Sequence, residues 1–189
     1  MDRDFRGMLL TLAACSAIKE VERKGWKRCA EIKAPESVAD HTFSTAFAAM
    51  MAGDLLHLNT EQMIKMALLH DVCEVITGDV QPGEMEPTRK EELESRALAK
   101  LLRALPTTIR SSYLEAFDQF NHGSSREARL VRDLDKLEMV VQAAAYERGG
   151  TKRELLNEFW RTAEGRVRSR EGKAMLRSAA SLRPRRSSP

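Results

Sequence analysis

The sequence predicts an all-α protein. Valine and isoleucine are scattered along the chain, and no long segment alternates apolar and polar residues as a half-buried strand would. Apolar residues recur at helical spacing instead, between short breaks that contain glycine or proline. The chain has 189 residues, of which 42% are hydrophobic and 31% charged. One domain of this size can bury a core without disulfides or structural zinc.

The helical spacing predicts eight segments in order. The first three cover 4–23, 37–57 and 60–78, and Ser37 followed by Asp40 resembles a capping box at the start of the second. The later segments cover 88–105, 106–120, 126–148, a helix that begins at 151, and a last one that ends near 182. Loops are expected at 25–36, 81–87 and 121–125, and disorder is expected over 183–189.

The positive charge of the chain is concentrated near its C-terminal end. The net charge is +3, and the segment from Arg161 onward contains nine Lys/Arg and two Asp/Glu. We therefore predict one domain over 1–165, followed over 166–189 by a basic helix and a disordered tail. No aromatic residues alternate with the arginines of this tail, so nucleic acid is not the expected partner.

The cysteines favour a reducing compartment, hence a cytoplasmic location. Cys15, Cys29 and Cys73 are odd in number and form no C-x-x-C pair. No apolar run approaches the ~18 residues of a transmembrane helix, so no membrane association is expected. An apolar stretch over 8–15 resembles the core of a signal peptide, but Asp2 and Asp4 precede it where a signal peptide would be purely basic.

The segment ALLHDVCEVITGD, residues 67–79, indicates a metal site. It places His70 beside Asp71 in largely apolar surroundings. Burying an ionised carboxylate costs several kcal/mol unless a binding partner compensates it, and a metal ion bound by both side chains would do so. His41, in the first turns of the second predicted helix, and Asp135, on the apolar face of the sixth, could supply two more ligands.

Each of these residues also has a simpler interpretation. A single histidine in a helix is usually a surface or core group, and His70 with Asp71 could be a structural pair. Asp135 could pair with Lys136 or Arg132 at the surface. Only the joint set favours a metal, and two imidazoles with two carboxylates suit Mn²⁺, Co²⁺, Fe²⁺, Zn²⁺ or Mg²⁺.

The order H…HD…D, with gaps of 29 and 64 residues, resembles the HD-domain phosphohydrolase superfamily. Four blocks in order resemble its 5′-deoxynucleotidase branch: KGWKR at 24–28, ESVADH at 36–41, HDVCEVITGD at 70–79 and DLDKLEM at 133–139. The resemblance covers roughly residues 8–160. It implies that the all-α fold is an HD-domain helical bundle, with the phosphohydrolase domain over 1–165.

The resemblance implies a divalent-metal-dependent phosphomonoesterase. Its substrates would be 2′-deoxyribonucleoside 5′-monophosphates, hydrolysed to deoxynucleoside and phosphate. One metal ion would be held by four residues: His41, His70, Asp71 and Asp135. A single ion is expected because only His57 and His122 remain as further histidines. Members of the branch tend to form homodimers, and the fifth or seventh predicted helix could supply the interface.

The resemblance also implies roles for residues around the metal. Glu74 matches the catalytic glutamate, which orients or deprotonates the attacking water or serves the leaving oxygen. Asp79 matches an aspartate near the sugar and leaving group. Trp26 matches a tryptophan that lines the sugar site, and the neighbouring cations Arg23 and Lys27 could contact the phosphate.

Two other functions stay open at the level of the sequence. The same fold could act on a nucleoside triphosphate, a ribonucleotide or a signalling nucleotide. A non-enzymatic helical module could instead hold a structural metal and dock its basic tail on nucleic acid. Glu74 distinguishes these cases, because a structural site has no need of a carboxylate one turn beyond a ligand.

Overall fold

The computed structural model describes residues 1–184, which fold into helices joined by short turns. No β-strand occurs within this part of the chain, and one isolated bridge joins Glu22 to Ser37. The prediction of an all-α fold is confirmed. The α-helices are α1 Asp2–Cys15, α2 Lys24–Ala30, α3 Val38–Leu56, α4 Thr60–Leu69, α5 Glu74–Thr77, α6 Pro87–Leu101, α7 Thr107–His122, α8 Arg126–Arg148, α9 Arg153–Arg166 and α10 Arg170–Ala179. Short 3-10 turns cover Ser16–Glu20, Leu102–Ala104 and Ala180–Leu182.

Helix α8 is the centre of the bundle. It packs against α3, α4, α7, α9 and α10. Most of its circumference is therefore buried, including apolar residues such as Val131 and Val140 and three acidic residues, Asp133, Asp135 and Glu138. Burying carboxylates on a central helix costs free energy unless neighbouring elements supply hydrogen bonds or opposite charges. None of the helices in residues 1–184 combines the length and apolar character needed to cross a bilayer.

The capping box predicted at Ser37 is confirmed. The Asp40 backbone N–H donates to Ser37 Oγ at 3.1 Å, and the Ser37 backbone N–H donates to Asp40 Oδ2 at 2.8 Å. These two bonds satisfy N–H groups that the first turn of a helix cannot pair internally. They fix the start of α3 and so the position of His41, which follows in the first turn.

The prediction of one helix over 4–23 followed by a loop over 25–36 is wrong. Helix α1 ends at Cys15, and the chain becomes extended at Val21, whose carbonyl accepts the Val38 N–H at 2.7 Å. Gly25, at the start of the expected loop, lies inside α2 instead. The reason is a distant contact: Asp79 Oδ2 accepts the backbone N–H of Lys24 at 2.7 Å and holds the start of α2.

The prediction of one helix over 60–78 is also wrong. Helix α4 ends at Leu69, residues 70–73 form turns, and α5 follows as a single turn. The His70 ring nitrogen Nδ1 bonds the Ala67 carbonyl at 2.7 Å. In a continued helix that carbonyl would accept the N–H of Asp71. The His–Asp pair therefore sits in a turn between two helices.

The C-terminal part of the described chain packs onto the bundle. Asp133 on α8 accepts the N–H groups of Arg168 at 2.9 Å and Ser169 at 2.8 Å, which seats the start of α10. Arg183, expected to be disordered, pairs with Glu147 at 2.8 Å, so that expectation is wrong for this residue. The same holds for its neighbour at 184, whose carbonyl accepts a hydrogen bond. Residues 185–189 lie outside the described part, and the domain boundary after 165 stays a prediction.

Replacing Asp133 by alanine is expected to lower the free energy of unfolding by about 1–3 kcal/mol, because two N–H groups at the start of α10 lose their acceptor. Urea denaturation measures this change. Asp133→Asn keeps one acceptor oxygen and should recover part of the loss. An alanine variant as stable as the wild type would show that the contact does not anchor α10.

Candidate metal centre

The four predicted metal ligands meet at one point, although they come from three different elements. His41 Nε2, on α3, lies 3.2 Å from Asp135 Oδ1, on α8, and 3.8 Å from Asp71 Oδ2. His70 Nε2 lies 3.1 Å from the same Asp71 oxygen. The break between α4 and α5 allows adjacent residues, His70 and Asp71, to direct both side chains to this point.

Both imidazoles are oriented through their other ring nitrogen. His70 Nδ1 pairs with the Ala67 carbonyl at 2.7 Å, and His41 Nδ1 pairs with Glu138 Oε2 at 2.5 Å. With a proton on Nδ1, each ring presents the lone pair of Nε2 to the site. The two Nε2 atoms are buried, and neither has a hydrogen-bond partner among residues 1–184.

These residues fit a divalent metal ion. Potential ligand atoms of His41, His70 and Asp71 all lie within 4.8 Å of one another, and Asp135 approaches from the side of His41. Buried nitrogen atoms without a hydrogen bond are costly unless something binds them. A second group that could hold an ion, formed with Glu36 and Glu138, uses His41 again and adds no further histidine.

The charges of the site are strongly interdependent. Burial and the nearby Arg23 would lower the pKa of His41, but without a metal ion contacts with Asp135 and Glu138 outweigh them and raise it to about 9, so a metal ion must displace a proton from this ring to bind. Burial would raise the pKa of Asp71, but His70, Arg23 and His41 hold it well below its usual range. Ionised carboxylates beside basic nitrogens form a mixed donor set of the kind that divalent metals bind.

A cavity of about 220 Å³ opens onto the site, and Glu74 lies in its wall. Glu74 is 4% exposed, and its Oε2 has no hydrogen-bond partner within the described chain. Burial, followed by the charges of Asp71 and Asp79, raises the pKa of Glu74 to about 10. The raised pKa favours the protonated form of this carboxyl group, which lies next to the predicted metal ligands.

Asp79 and Trp26 also line the cavity, and both are held firmly. Asp79 accepts from the Lys24 backbone N–H at 2.7 Å and from Gln81 Nε2 at 2.7 Å. Trp26 is 1% exposed, its ring stacks on Phe159 at 3.9 Å between centroids, and its Nε1–H donates to Glu36 at 2.8 Å. Both residues have structural contacts here, and their predicted roles toward substrate stay predictions.

The two predicted phosphate cations differ in position. Arg23 lines the cavity, and its guanidinium lies 3.3 Å from Asp71 Oδ2. Lys27 pairs instead with Glu22 at 2.5 Å on the surface and is not part of the cavity wall. The structure therefore brings Arg23, but not Lys27, to the metal ligands.

Sequence reasoning missed two residues of the site. Glu138 orients His41, and Lys136, considered earlier only as a surface partner of Asp135, lines the cavity. A signal existed for Glu138, because a glutamate three residues after Asp135 shares the apolar face of the helix. His57 is exposed at the end of α3, and His122 is on the surface, so neither belongs to the site.

Comparison with known protein families agrees with this geometry. The family model described as HD domain matches residues 15–174, which is most of the chain. The chain therefore belongs to the HD domain family, and the resemblance found from the sequence is confirmed.

Relatives of the chain make the family assignment more specific. The 5′-deoxynucleotidase HDDC2 of Bos taurus is 33% identical over 165 residues, covering 87% of this chain and 80% of the relative. The protein of the same name from Danio rerio is 34% identical over 179 residues, covering 94% and 88%. Within the HD domain family, the chain is therefore similar to proteins named 5′-deoxynucleotidase HDDC2 over most of its length.

Solved structures show the same fold. The PH0347 protein from Pyrococcus horikoshii OT3 superposes with a TM-score of 0.77 at 31% identity, covering 92% of this chain and 98% of that one. A predicted metal-dependent phosphohydrolase from Magnetospirillum magnetotacticum MS-1 has a TM-score of 0.69 at 19% identity, covering 96% and 100%. The second likeness concerns the fold alone.

Replacing Glu138 by alanine is expected to weaken metal binding by about 10–100-fold, because His41 loses the group that sets its tautomer and ring orientation. Calorimetric titration of the metal-free protein with Co²⁺ or Mn²⁺ measures the affinity. Glu127→Ala, in the first turn of α8 and about three turns away from Glu138, serves as the control and should bind metal like the wild type. Unchanged affinity in Glu138→Ala would contradict the orienting role.

Proposed function

We propose that this protein is a divalent-metal-dependent phosphomonoesterase that hydrolyses 2′-deoxyribonucleoside 5′-monophosphates to a deoxynucleoside and phosphate. Relatives named 5′-deoxynucleotidase, 33% and 34% identical, support the substrate class. The observation that carries the proposal is the pair of buried Nε2 atoms of His41 and His70, which face two carboxylates at the base of a cavity.

We also propose a cytoplasmic location, which the absence of a disulfide among the described cysteines supports.

One divalent ion would be held by His41, His70, Asp71 and Asp135. This donor set suits Mn²⁺, Co²⁺, Mg²⁺, Fe²⁺ and Zn²⁺. When bound, such an ion polarises a phosphoryl oxygen and lowers the pKa of water. The protein's own contribution is to fix the four ligands from three elements and to bury them.

Glu74 is the proposed catalytic proton carrier. Burial and the charges of Asp71 and Asp79 raise its pKa, which favours the protonated carboxyl group. As the bond between phosphorus and the sugar 5′-oxygen breaks, Glu74 can donate this proton to the leaving oxygen. It regains a proton from the attacking water, so the deoxynucleoside leaves as an alcohol and the water oxygen stays on phosphorus.

Substrate contacts are proposed from the cavity wall. Burial would lower the pKa of Arg23, but Asp71, Asp135 and other nearby carboxylates raise it, so the guanidinium stays charged and can bind phosphate. Trp26, whose ring stacks on Phe159, would line the sugar site. Asp79, held by the N–H of Lys24, would lie beside the leaving group. Lys27 would reach substrate only by leaving its ion pair with Glu22, so Arg23 is the stronger proposal.

The function is tested by measuring phosphate release from a panel of ribo- and deoxyribonucleotides after chelation and re-addition of single metals. The wild type is expected to hydrolyse deoxynucleoside monophosphates only when metal is restored. Glu74→Gln should lower kcat by roughly 10²–10⁴-fold, because the proton carrier is lost. Asp71→Ala should abolish metal-dependent turnover.

The matched control is Glu92→Gln, an exposed glutamate whose described ion pair is with Arg96 on α6. It should behave like the wild type. Turnover that survives both Glu74→Gln and Asp71→Ala would disprove the mechanism. Hydrolysis of triphosphates but not monophosphates would assign the protein to another phosphate ester.

We also propose that the protein is a homodimer, with α3 in the interface. Helices α7 and α9, expected to supply it, bury Phe117, Phe159 and Trp160 in the core. On α3, by contrast, Phe43 is 71% and Phe47 49% exposed, beside an apolar groove of about 780 Å³ between α3, α8 and α10. A projecting ridge next to a hollow on one surface suits a two-fold contact with a second copy.

Replacing Phe43 by aspartate is expected to shift the protein from dimer to monomer, because a charge would be buried in an apolar contact. Size-exclusion chromatography with light scattering measures the mass. Leu12→Asp is the matched control, since Leu12 on α1 is 63% exposed but outside the groove. A monomeric wild type, or loss of the dimer in Leu12→Asp alone, would refute this interface.

A further inference from the structure

Lys136 is a cation at the metal centre to which neither the fold nor the proposed mechanism assigns a role. It follows Asp135 on α8, and its Nζ lies 2.8 Å from Asp135 Oδ2. The other carboxylate oxygen, Oδ1, faces His41 Nε2 at 3.2 Å. One ligand carboxylate therefore lies between the imidazole on its inner side and the lysine on its outer side.

The arrangement of Lys136 parallels that of Arg23. Each cation contacts a carboxylate that is a proposed metal ligand: Arg23 contacts Asp71 at 3.3 Å, and Lys136 contacts Asp135 at 2.8 Å. Both cations line the same cavity. An anion bound above the ligands would therefore lie between two positive groups from different parts of the chain.

The exposure of Lys136 favours a role beyond neutralising Asp135. Its side chain is 35% exposed, whereas the Asp135 side chain is 10% exposed, so the ammonium group lies toward the open side of the pair. An ammonium group has three N–H donors. Asp135 is its one ion-pair contact within residues 1–184, which leaves donors for oxygen atoms of a ligand.

The other cations of the cavity are less suited to this task. Lys90 donates to the Val80 carbonyl at 3.2 Å and also pairs with Glu94. Arg28 is 52% exposed at the rim, near Glu84. Of the cations that line the cavity, Arg23 and Lys136 are those in direct contact with proposed metal ligands.

We propose that Lys136 binds the phosphate of the substrate, as the second cation of a clamp whose first member is Arg23. This inference rests on the proposed function, because it assigns a contact to that same site. A phosphomonoester dianion has three terminal oxygens, so one can face the metal ligands while the others accept from the two cations. The clamp selects for the phosphate group, whatever the base.

Lys136→Met tests the proposal, because it keeps an unbranched side chain only one atom shorter and removes the charge. It should raise the KM for a deoxynucleoside monophosphate by roughly 10–100-fold, the loss expected for one charged hydrogen bond. The dissociation constant of inorganic phosphate, measured by calorimetry on the Co²⁺-loaded protein, should rise by a similar factor. Lys136→Arg should restore most of the phosphate affinity.

The matched control is Lys65→Met. Lys65 pairs with Glu61 at 2.6 Å and is 33% exposed, close to the value for Lys136, but it lies outside the cavity. This variant should match the wild type in KM, phosphate affinity and Co²⁺ affinity.

Two outcomes would overturn the proposal. In one, Lys136→Met binds inorganic phosphate like the control. In the other, it loses Co²⁺ affinity while binding phosphate normally at saturating Co²⁺, so the lysine acts only through Asp135. If the wild type hydrolyses no nucleoside monophosphate, the proposed function fails, but the phosphate titration still decides the role of Lys136.

Discussion

The pairing of His41 with Glu138 is the contact on which the rest of the site depends. It joins α3 to α8 inside the core, where His41 is 0% and Glu138 7% exposed. Burying these two groups is tolerable because each satisfies the other, whereas either one alone would carry the full cost of desolvation. The pairing also decides which ring nitrogen faces Asp71 and Asp135. The contact that holds α3 and α8 together thus also determines which nitrogen of His41 is available at the site.

The carboxyl groups of the site have different neighbours, and these neighbours determine which of the groups stay ionised. Asp71 lies beside His70 and Arg23, and Asp135 lies beside Lys136 and His41, so the pKa of each aspartate is held below its usual range and both stay ionised. Glu74 has no such cation in contact and keeps its proton instead. Burial alone would raise the pKa of every one of these carboxyl groups. The basic groups in contact with Asp71 and Asp135 therefore distinguish these two ionised carboxylates from Glu74.

The predictable parts of the molecule are those that depend on local sequence. The capping box at Ser37 and the extent of α8 follow from neighbouring residues, and the spacing of histidines and aspartates was enough to predict four residues that the structure brings together. The break after Leu69 and the helix at Lys24 could not be found this way. The first depends on a ring bonding a carbonyl, and the second on an aspartate 55 residues away. Neither contact leaves a periodic pattern in the sequence, because the first joins a side chain to a main-chain carbonyl three residues away and the second joins distant parts of the chain.

The bond between Asp79 and the N–H of Lys24 has a consequence for how this protein can be altered. It attaches the segment that carries Trp26 to the end of the segment that carries the ligand pair, and it does so through the main chain. Because every residue except proline has that N–H, the side chain at position 24 can be exchanged without releasing the attachment. The surface charge at this exposed position can therefore be changed while the turn that carries His70 and Asp71 stays attached.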